Sequence, residues 1–467
     1  MDSPSKSFNM KKHLKEEFVS NLGGSSMIEI AALSAAVPLL FVLRHSICFS
    51  YKTGSAFVRT SAKKDGDALS ASKSLGNYLA TVTVDFMFIV LPILLFLTVL
   101  AEWIFILPIF LMVLTFSITA KRVVISTTCS EGSLSLRAII SSYRVVVMVV
   151  TCLCILAVDF RIYPRRYAKT ETYGYSLMDL GVGSFVLANS LVSRQARNAS
   201  LVNLKAAVQS ASPLLLLGFG RLLSTTTVDY QVHTGEYGVH WNFFFTLAAV
   251  SVLTSIINVP PQYSGFLGSA VLIGYQSWLN SGLNAYLLSD NRASDMISKN
   301  KEGVFSILGY WGMYLIGVQL GYYLFFGNHS STKMKSNKWA RIRVLSFAVI
   351  FWLITMILDS HVERVSRRMC NMAYVTLVLA QNFQVLAILM LSDFISGSKI
   401  SILEEAFDRN LLGTFLLANV LTGLVNISVD TLFVTSLTAL FILLVYAYVL
   451  SIITGILHFY GVRLKFW

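Results

Sequence analysis

The sequence predicts an all-α polytopic membrane protein, on three observations. Only 13% of the 467 residues are charged while 55% are hydrophobic, whereas a soluble domain carries roughly 25% charged residues. The apolar residues come in runs of about 17–25, the length a helix needs to cross a bilayer. Barrel strands would instead show as alternating segments of about ten residues. The connections between runs are short, and the longest, about 44–78, is Ser/Lys-rich and too poor in apolar residues to bury a core.

About 13 spans follow in order, organised as a single multi-span domain over 1–467. The first, 27–43, stands behind a polar N-terminal segment, 1–26. That segment has no apolar h-region, so it is not a cleaved signal peptide. Its KKHLKEEF stretch suits a short amphipathic helix on the membrane surface. The second and third spans, 79–99 and 102–119, are nearly fused and meet at Glu102–Trp103. The fourth, 142–158, closes the run VVVMVVTCLCILAV, and the fifth, 175–193, carries Gly181, Gly183, Ser184 and Ala188, small residues that suit close helix packing. The sixth and seventh, 206–223 and 241–258, flank a polar loop. The eighth, 265–288, places Gln276, Asn280 and Asn284 at i, i+4 and i+8, so one helix face is polar and looks at a cavity or at a partner helix. The ninth to thirteenth are 304–326, 342–358, 371–391, 411–429 and 432–459. Asp85, Gln319, Gln381, Asn382, Gln384, Asn419 and Asn426 also lie within spans, and interhelical hydrogen bonds account for many such residues.

The net charge of +13 does not indicate nucleic acid, because the basic residues are scattered over membrane-flanking loops and form no stripe. Their ordinary role is topology. An odd number of spans puts the termini on opposite faces. With a lumenal N-terminus and a cytosolic C-terminus, loops 44–78, 120–141, 194–205, 327–341 and 392–410 face the cytosol, which gives a modest positive-inside bias. The sequons at Asn198 and Asn328 then stay unmodified in cytosolic loops. Cys48, Cys129, Cys152, Cys154 and Cys370 match no metal spacing and read as free thiols, mostly packing.

One loop breaks the charge bias on the translocated side. The stretch DFRIYPRRYAKTETYGYSLMDLGVG sets Asp159, Arg161, Arg165, Arg166, Lys169, Glu171 and Asp179 at a membrane boundary, where charge is costly unless solvated, paired or bound to something polar. A second cluster on the same face, RLLSTTTVDYQVHTGEYGVHWNFFFTL, holds Arg221, Asp229, His233, Glu236, His240, Trp241 and Asn242. Tyr237 and Trp241 suit an interfacial aromatic belt, while the His240 imidazole suits proton exchange. A third group, Asp290, Arg292, Asp295, Lys299, Lys301 and Glu302, reads as a solvated loop. There is no P-loop, Rossmann fingerprint, HExxH or GxSxG, which points away from a soluble-type hydrolase or kinase. GSFVLANSLVS from Gly183 and GTFLLANVLTG from Gly413 share six of eleven residues in spans of opposite direction. A chance match between two apolar helices accounts for such an echo, although inverted repeats also occur in transporters.

AVDFRIYPRRYAKTETYGYSLMDLGVGSFVLANSLVS, DYQVHTGEYGVHWNFFFTL, NKEGVFSILGYWGMYLIG and NLLGTFLLANVLTGLVNISVDT together resemble the PIG-W family of inositol acyltransferases of glycosylphosphatidylinositol (GPI) anchor biosynthesis, as does NMKKHLKEEFVSNLGGSSMIEI at the N-terminus. The resemblance covers nearly the whole chain and weakens at 44–78 and 327–340. It implies a helical bundle around a lipid/acyl-CoA cavity in the endoplasmic reticulum membrane. A fatty acyl group, usually palmitoyl, passes from acyl-CoA, a co-substrate, to the inositol 2-hydroxyl of glucosaminyl-phosphatidylinositol; no further cofactor or metal is implied. It also implies a catalytic pair, here Asp159 and Lys169. Asp159 suits the general base and Lys169 the oxyanion or the acceptor phosphate. Arg165 and Arg166 suit phosphates, and Glu171, Asp179, Arg221, Asp229, Glu236, His240, Trp241 and Asn242 complete the substrate-binding candidates. On the residues alone, Asp159 has another role open to it, as the ion-pair partner of Arg165, Arg166 or Lys169. A membrane site suits such substrates: at about 0.8 kcal/mol per buried CH₂, a palmitoyl tail gains roughly 12 kcal/mol by staying apolar. A secondary transporter or lipid flippase is the rival reading.

Overall fold

The computed structural model describes residues 17–18, 20–47, 68–125, 134–199, 204–227, 234–327, 337–395 and 398–464. Every expected span falls on a helix: α1 (Met27–Ser46), α2 (Ala68–Asp85, continued by a π-turn into Leu91–Phe96), α3 (Leu107–Ile125), α4 (Leu136–Ala157), α5 (Leu177–Leu191), α6 (Leu204–Thr227), α7 (Phe243–Ile257), α8 (Pro261–Trp278), α9 (Lys301–Gly321), α10 (Asn337–His361), α11 (Met372–Leu389), α12 (Leu411–Ser428) and α13 (Ser436–Phe459). Among the described residues, eight helices are long and apolar enough to cross a membrane, and shorter apolar helices run at 107–120, 177–191, 211–223 and 243–257. Side chains at the starts explain several boundaries. Ser135, Ser176, Asn242 and Thr435 accept backbone N–H groups at the heads of α4, α5, α7 and α13, and Pro261 opens α8 where no N–H partner is needed. Apolar side chains such as Leu437 (81% exposed) and Ile427 (76% exposed) lie on the outside, where lipid is their natural solvent.

The chain forms two compact units. Among the described residues, the first is formed from those within 17–30 and 165–384. In it α9 packs on α8, α5 and α7, and α6 packs on α7. Small residues let the backbones close up: a Cβ on Gly268 of α8 would meet Gly312 O of α9 at 2.7 Å. Two of the small residues read from the sequence do pack this way, with Gly183 against Val378 and Ser184 accepting from Asn382 Nδ2 at 2.9 Å.

The second unit comprises 31–164 and 385–465. A short amphipathic helix, Ile402–Arg409, packs on α2, α4 and α13, while α12 packs on α4. Buried ion pairs and hydrogen bonds tie its helices together. Arg44 Nε donates to Asp85 Oδ1 at 2.7 Å, and Leu403 N reaches Asp85 Oδ2 at 3.1 Å. His45 Nε2 lies 2.8 Å from Glu404 Oε1 and Ser142 Oγ donates to Glu404 Oε2 at 2.6 Å. Ser401 and Glu404 form a capping box at the head of the amphipathic helix.

Two expectations change. The loop expected at 44–78 is helical at both ends, because Arg44 and His45 are buried against Asp85 and Glu404 and the proline-free segment from Ala68 extends α2. The continuous polar face Gln276–Asn280–Asn284 is broken, because a π-turn at Leu279–Leu283 and Gly282 at φ 121° interrupt the helix. Its first residue meets a partner: Gln276 Nε2 donates to Glu363 Oε2 at 2.7 Å and its Oε1 accepts Met372 N at 3.0 Å. Most of KKHLKEEF lies outside the described residues, as do Cys48, Cys129 and Asn328. Cys152, Cys154 and Cys370 are free and buried.

Candidate active site

The loop after α4 is anchored by aromatic side chains. Phe160, Tyr163 and Tyr167 are fully buried, and such anchors hold the polar residues between them in fixed positions. The chain passes from the second unit to the first at Pro164–Arg165, so Asp159 belongs to the second unit and the rest of the candidate group to the first. Asp159 follows the C-terminal end of α4, and Asn426 Nδ2 of α12 donates to its Oδ2 at 2.8 Å. Arg161 is exposed.

In the first unit each basic residue of the loop has a defined neighbour. The Arg165 guanidinium lies 4.0 Å from the Phe18 ring centroid. Arg166 Nε donates to Glu29 Oε1 at 2.7 Å, and Tyr167 OH donates to the same oxygen at 2.9 Å. Lys169 Nζ lies 2.8 Å from Glu236 Oε1. Glu171 Oε2 accepts Asn21 N at 2.6 Å, and Glu171 N donates to Leu22 O, which fastens the N-terminal segment to the loop. Asp179, in the first turn of α5, accepts Thr170 Oγ1 at 2.7 Å and Arg367 Nε at 2.7 Å.

Arg367 joins the pieces. Its Nη2 is 3.9 Å from Glu236 Oε1, so Lys169, Glu236, Arg367 and Asp179 alternate in sign along one chain of contacts. Arg367 and Asp179 are nearly fully buried, at 4% and 2% side-chain exposure, whereas Lys169 and Glu236 are 36% and 23% exposed. The buried pair thus fixes the frame and the outer pair faces solvent. The segment carrying Arg367 is itself held from several sides. Glu363 accepts from Gln276, Asn371 and Tyr173, Ser366 Oγ donates to Thr172 O at 2.6 Å, and Glu302 pairs with both Arg292 and Arg368.

The second predicted cluster is positioned by Asn300, whose Oδ1 accepts His240 N at 2.8 Å and Trp241 N at 3.0 Å. Gly238, at φ 105°, turns the chain over Asn300 in a conformation L side chains rarely adopt. The Trp241 indole N–H donates to Thr246 Oγ1 at 3.0 Å. The Asn242 amide donates to Gly218 O at 2.9 Å while its oxygen caps α7. Both side chains therefore hold α6 and α7 to the loop that carries Glu236. Arg221 is exposed on α6, and Asp229 and His233 lie outside the described residues. The reading from sequence did not single out Arg367, Glu363 or Asn300. Arg364, Arg367 and Arg368 repeat the signal that marked the first loop, positive charge on the expected translocated side.

Burial pushes the Glu236 carboxyl up, but the Lys169 ammonium and the Arg367 guanidinium outweigh it and hold the group at about 2. An unfolded glutamate titrates near about 4.3. These pairs therefore stabilise the fold fully above about pH 4.5, and that contribution is lost as the pH falls towards about 2. The difference in thermal midpoint between the wild type and Glu236→Gln should stay flat from about pH 8 to 5 and shrink below about pH 4. A gap that widens on acidification would overturn this account of the cluster.

A GWT1 family model matches residues 11–457. A protein of Arabidopsis thaliana described as uncharacterized is 58% identical over 92% of this chain and 98% of its own. The mouse glucosaminyl-phosphatidylinositol-acyltransferase PIGW is 30% identical over 98% of this chain and 100% of its own. The GPI-anchored wall transfer protein 1 of Aspergillus oryzae is 34% identical over 95% of this chain and 96% of its own.

Proposed function

This chain belongs to the GWT1 family, and from that membership we infer that it is an acyltransferase of GPI-anchor biosynthesis acting on the inositol of glucosaminyl-phosphatidylinositol. The observation that carries the reading is similarity to an acyltransferase of that name over 98% of the chain. The finer reading is that palmitoyl passes from acyl-CoA to the inositol 2-hydroxyl in the endoplasmic reticulum membrane, with the N-terminus and the polar loops lumenal and the C-terminus cytosolic. The thioester supplies the activation, so no further cofactor is required.

In this reading the inositol hydroxyl attacks the thioester carbonyl, the new C–O bond forms, and the C–S bond breaks. Asp159 takes the hydroxyl proton, which leaves with the CoA thiol. A positioned base of this kind contributes about 10²–10⁴-fold. Lys169 stabilises the developing oxyanion or holds the acceptor phosphate. Because Lys169 is already paired with Glu236, an anionic substrate has to compete with that carboxylate for the ammonium. Arg165 and Arg166 then serve the phosphodiester or the CoA phosphates.

The test is direct. Purified protein given palmitoyl-CoA and glucosaminyl-phosphatidylinositol should yield the acylated lipid by mass spectrometry. No product from folded protein would overturn the assignment, and movement of the unmodified lipid between leaflets would support the flippase instead.

A further inference from the structure

Asn426 lies near the C-terminal end of α12, a largely apolar helix, LLGTFLLANVLTGLVNIS. An amide in such a helix has a local partner within reach, the carbonyl one turn back. Asn419, seven residues earlier and on the same face, takes that option and donates to Phe415 O at 2.7 Å. Asn426 instead spends its donor on Asp159 Oδ2, 2.8 Å away and 267 residues distant in sequence.

The helix that carries Asn426 is fixed against α4, the helix that leads into Asp159. Tyr446 OH of α13 donates to Cys152 O of α4 at 2.7 Å and lies 3.5 Å from Ala418 O of α12, so one hydroxyl ties the three helices together. At its head, Asn410 Nδ2 donates to Val462 O at 3.0 Å and its oxygen accepts Leu464 N at 2.8 Å. With α12 held in this way, the frame of the unit sets the Asn426 backbone within reach of Asp159.

We propose that Asn426 is a positioning residue for acyl transfer, whose amide fixes the plane of the Asp159 carboxylate; this rests on the reading of Asp159 as the general base. A neutral donor suits that task. It orients the carboxylate and favours its ionised form, while a cation at the same distance would weaken it more as a base. Small misplacements of a reacting group cost about 10²-fold in rate.

The test compares purified Asn426→Ala, Asn426→Asp and Asp159→Asn with the wild type, using palmitoyl-CoA and glucosaminyl-phosphatidylinositol. Asn426→Ala should lower kcat by about 10- to 100-fold, with KM for both substrates within about twofold and an unchanged thermal midpoint. Asn426→Asp keeps the shape but sets a second acceptor against Asp159, so it should lose more than Asn426→Ala. A purely structural role would instead lower the thermal midpoint of both variants and leave kcat per folded enzyme near the wild-type value. Wild-type kcat in either Asn426 variant, beside an inactive Asp159→Asn, overturns the positioning role and leaves Asp159 as the base. An active Asp159→Asn overturns the reading of Asp159 itself.

Discussion

Asp159→Asn is expected to lower kcat for inositol acylation by about 10²–10⁴-fold while the protein accumulates and unfolds as the wild type does. The substitution removes a charge and a proton acceptor and almost no volume, and the new side-chain oxygen can still accept from Asn426 Nδ2, the bond now made at 2.8 Å. Phe160 and Tyr163, both fully buried beside it, keep the loop in place. Lys169→Ala makes the complementary cut. Loss of one oxyanion donor costs about 10²–10³-fold in kcat, whereas loss of a phosphate contact appears chiefly in KM for the acceptor, so the kinetic split tells the two Lys169 roles apart. Acylation assays on matched amounts of detergent-purified protein measure both. An Asp159→Asn enzyme within tenfold of the wild type would remove this residue as the base.

The helices were legible because lipid imposes one rule on every segment: an apolar run long enough to satisfy its own backbone. That rule says nothing about where charges sit once two helices meet. Arg44 and His45 looked like loop residues because a charge in isolation belongs in water. Their partners, Asp85 and Glu404, stand 41 and 359 positions away, and no periodicity connects them. The break in α8 was equally hidden, since Gly282 leaves the spacing of Gln276, Asn280 and Asn284 intact on paper while its φ of 121° ends the common face.

The site was half visible for a related reason. Excess positive charge on the expected translocated side pointed to Lys169 and its neighbours, and local polarity pointed to Glu236 and Asp179. The side chain joining them, Arg367, is 188 residues from Asp179 and comes from a loop that nothing in the local sequence connects to them. Asn426 is a further case. As one amide among several in apolar helices it carried no mark of its own, and only the fold shows that it bonds to Asp159 while Asn419 bonds to its own helix.

Arg367→Ala is expected to destabilise the first unit by about 3–5 kcal/mol, the cost of leaving a buried carboxylate without its cation. Asp179 would keep its bonds from Thr170, but those donors are neutral, so a side chain only 2% exposed would be left without its counter-charge. Replacing both partners should cost far less, because an uncharged pair of similar volume leaves no buried ion to desolvate. The double variant Asp179→Asn, Arg367→Met is therefore expected to regain most of the thermal midpoint lost by Arg367→Ala. It should not regain acylation, since Glu236 would still lack its second cation and Lys169 would be bound by a carboxylate no longer held by the frame. Thermal unfolding followed by size-exclusion fluorescence, alongside the acylation assay, separates the two effects. Full activity in the double variant would show that the chain from Lys169 to Asp179 supports the fold alone; stability lost in the single variant and activity lost in both would show that the buried pair sets the geometry of the exposed one.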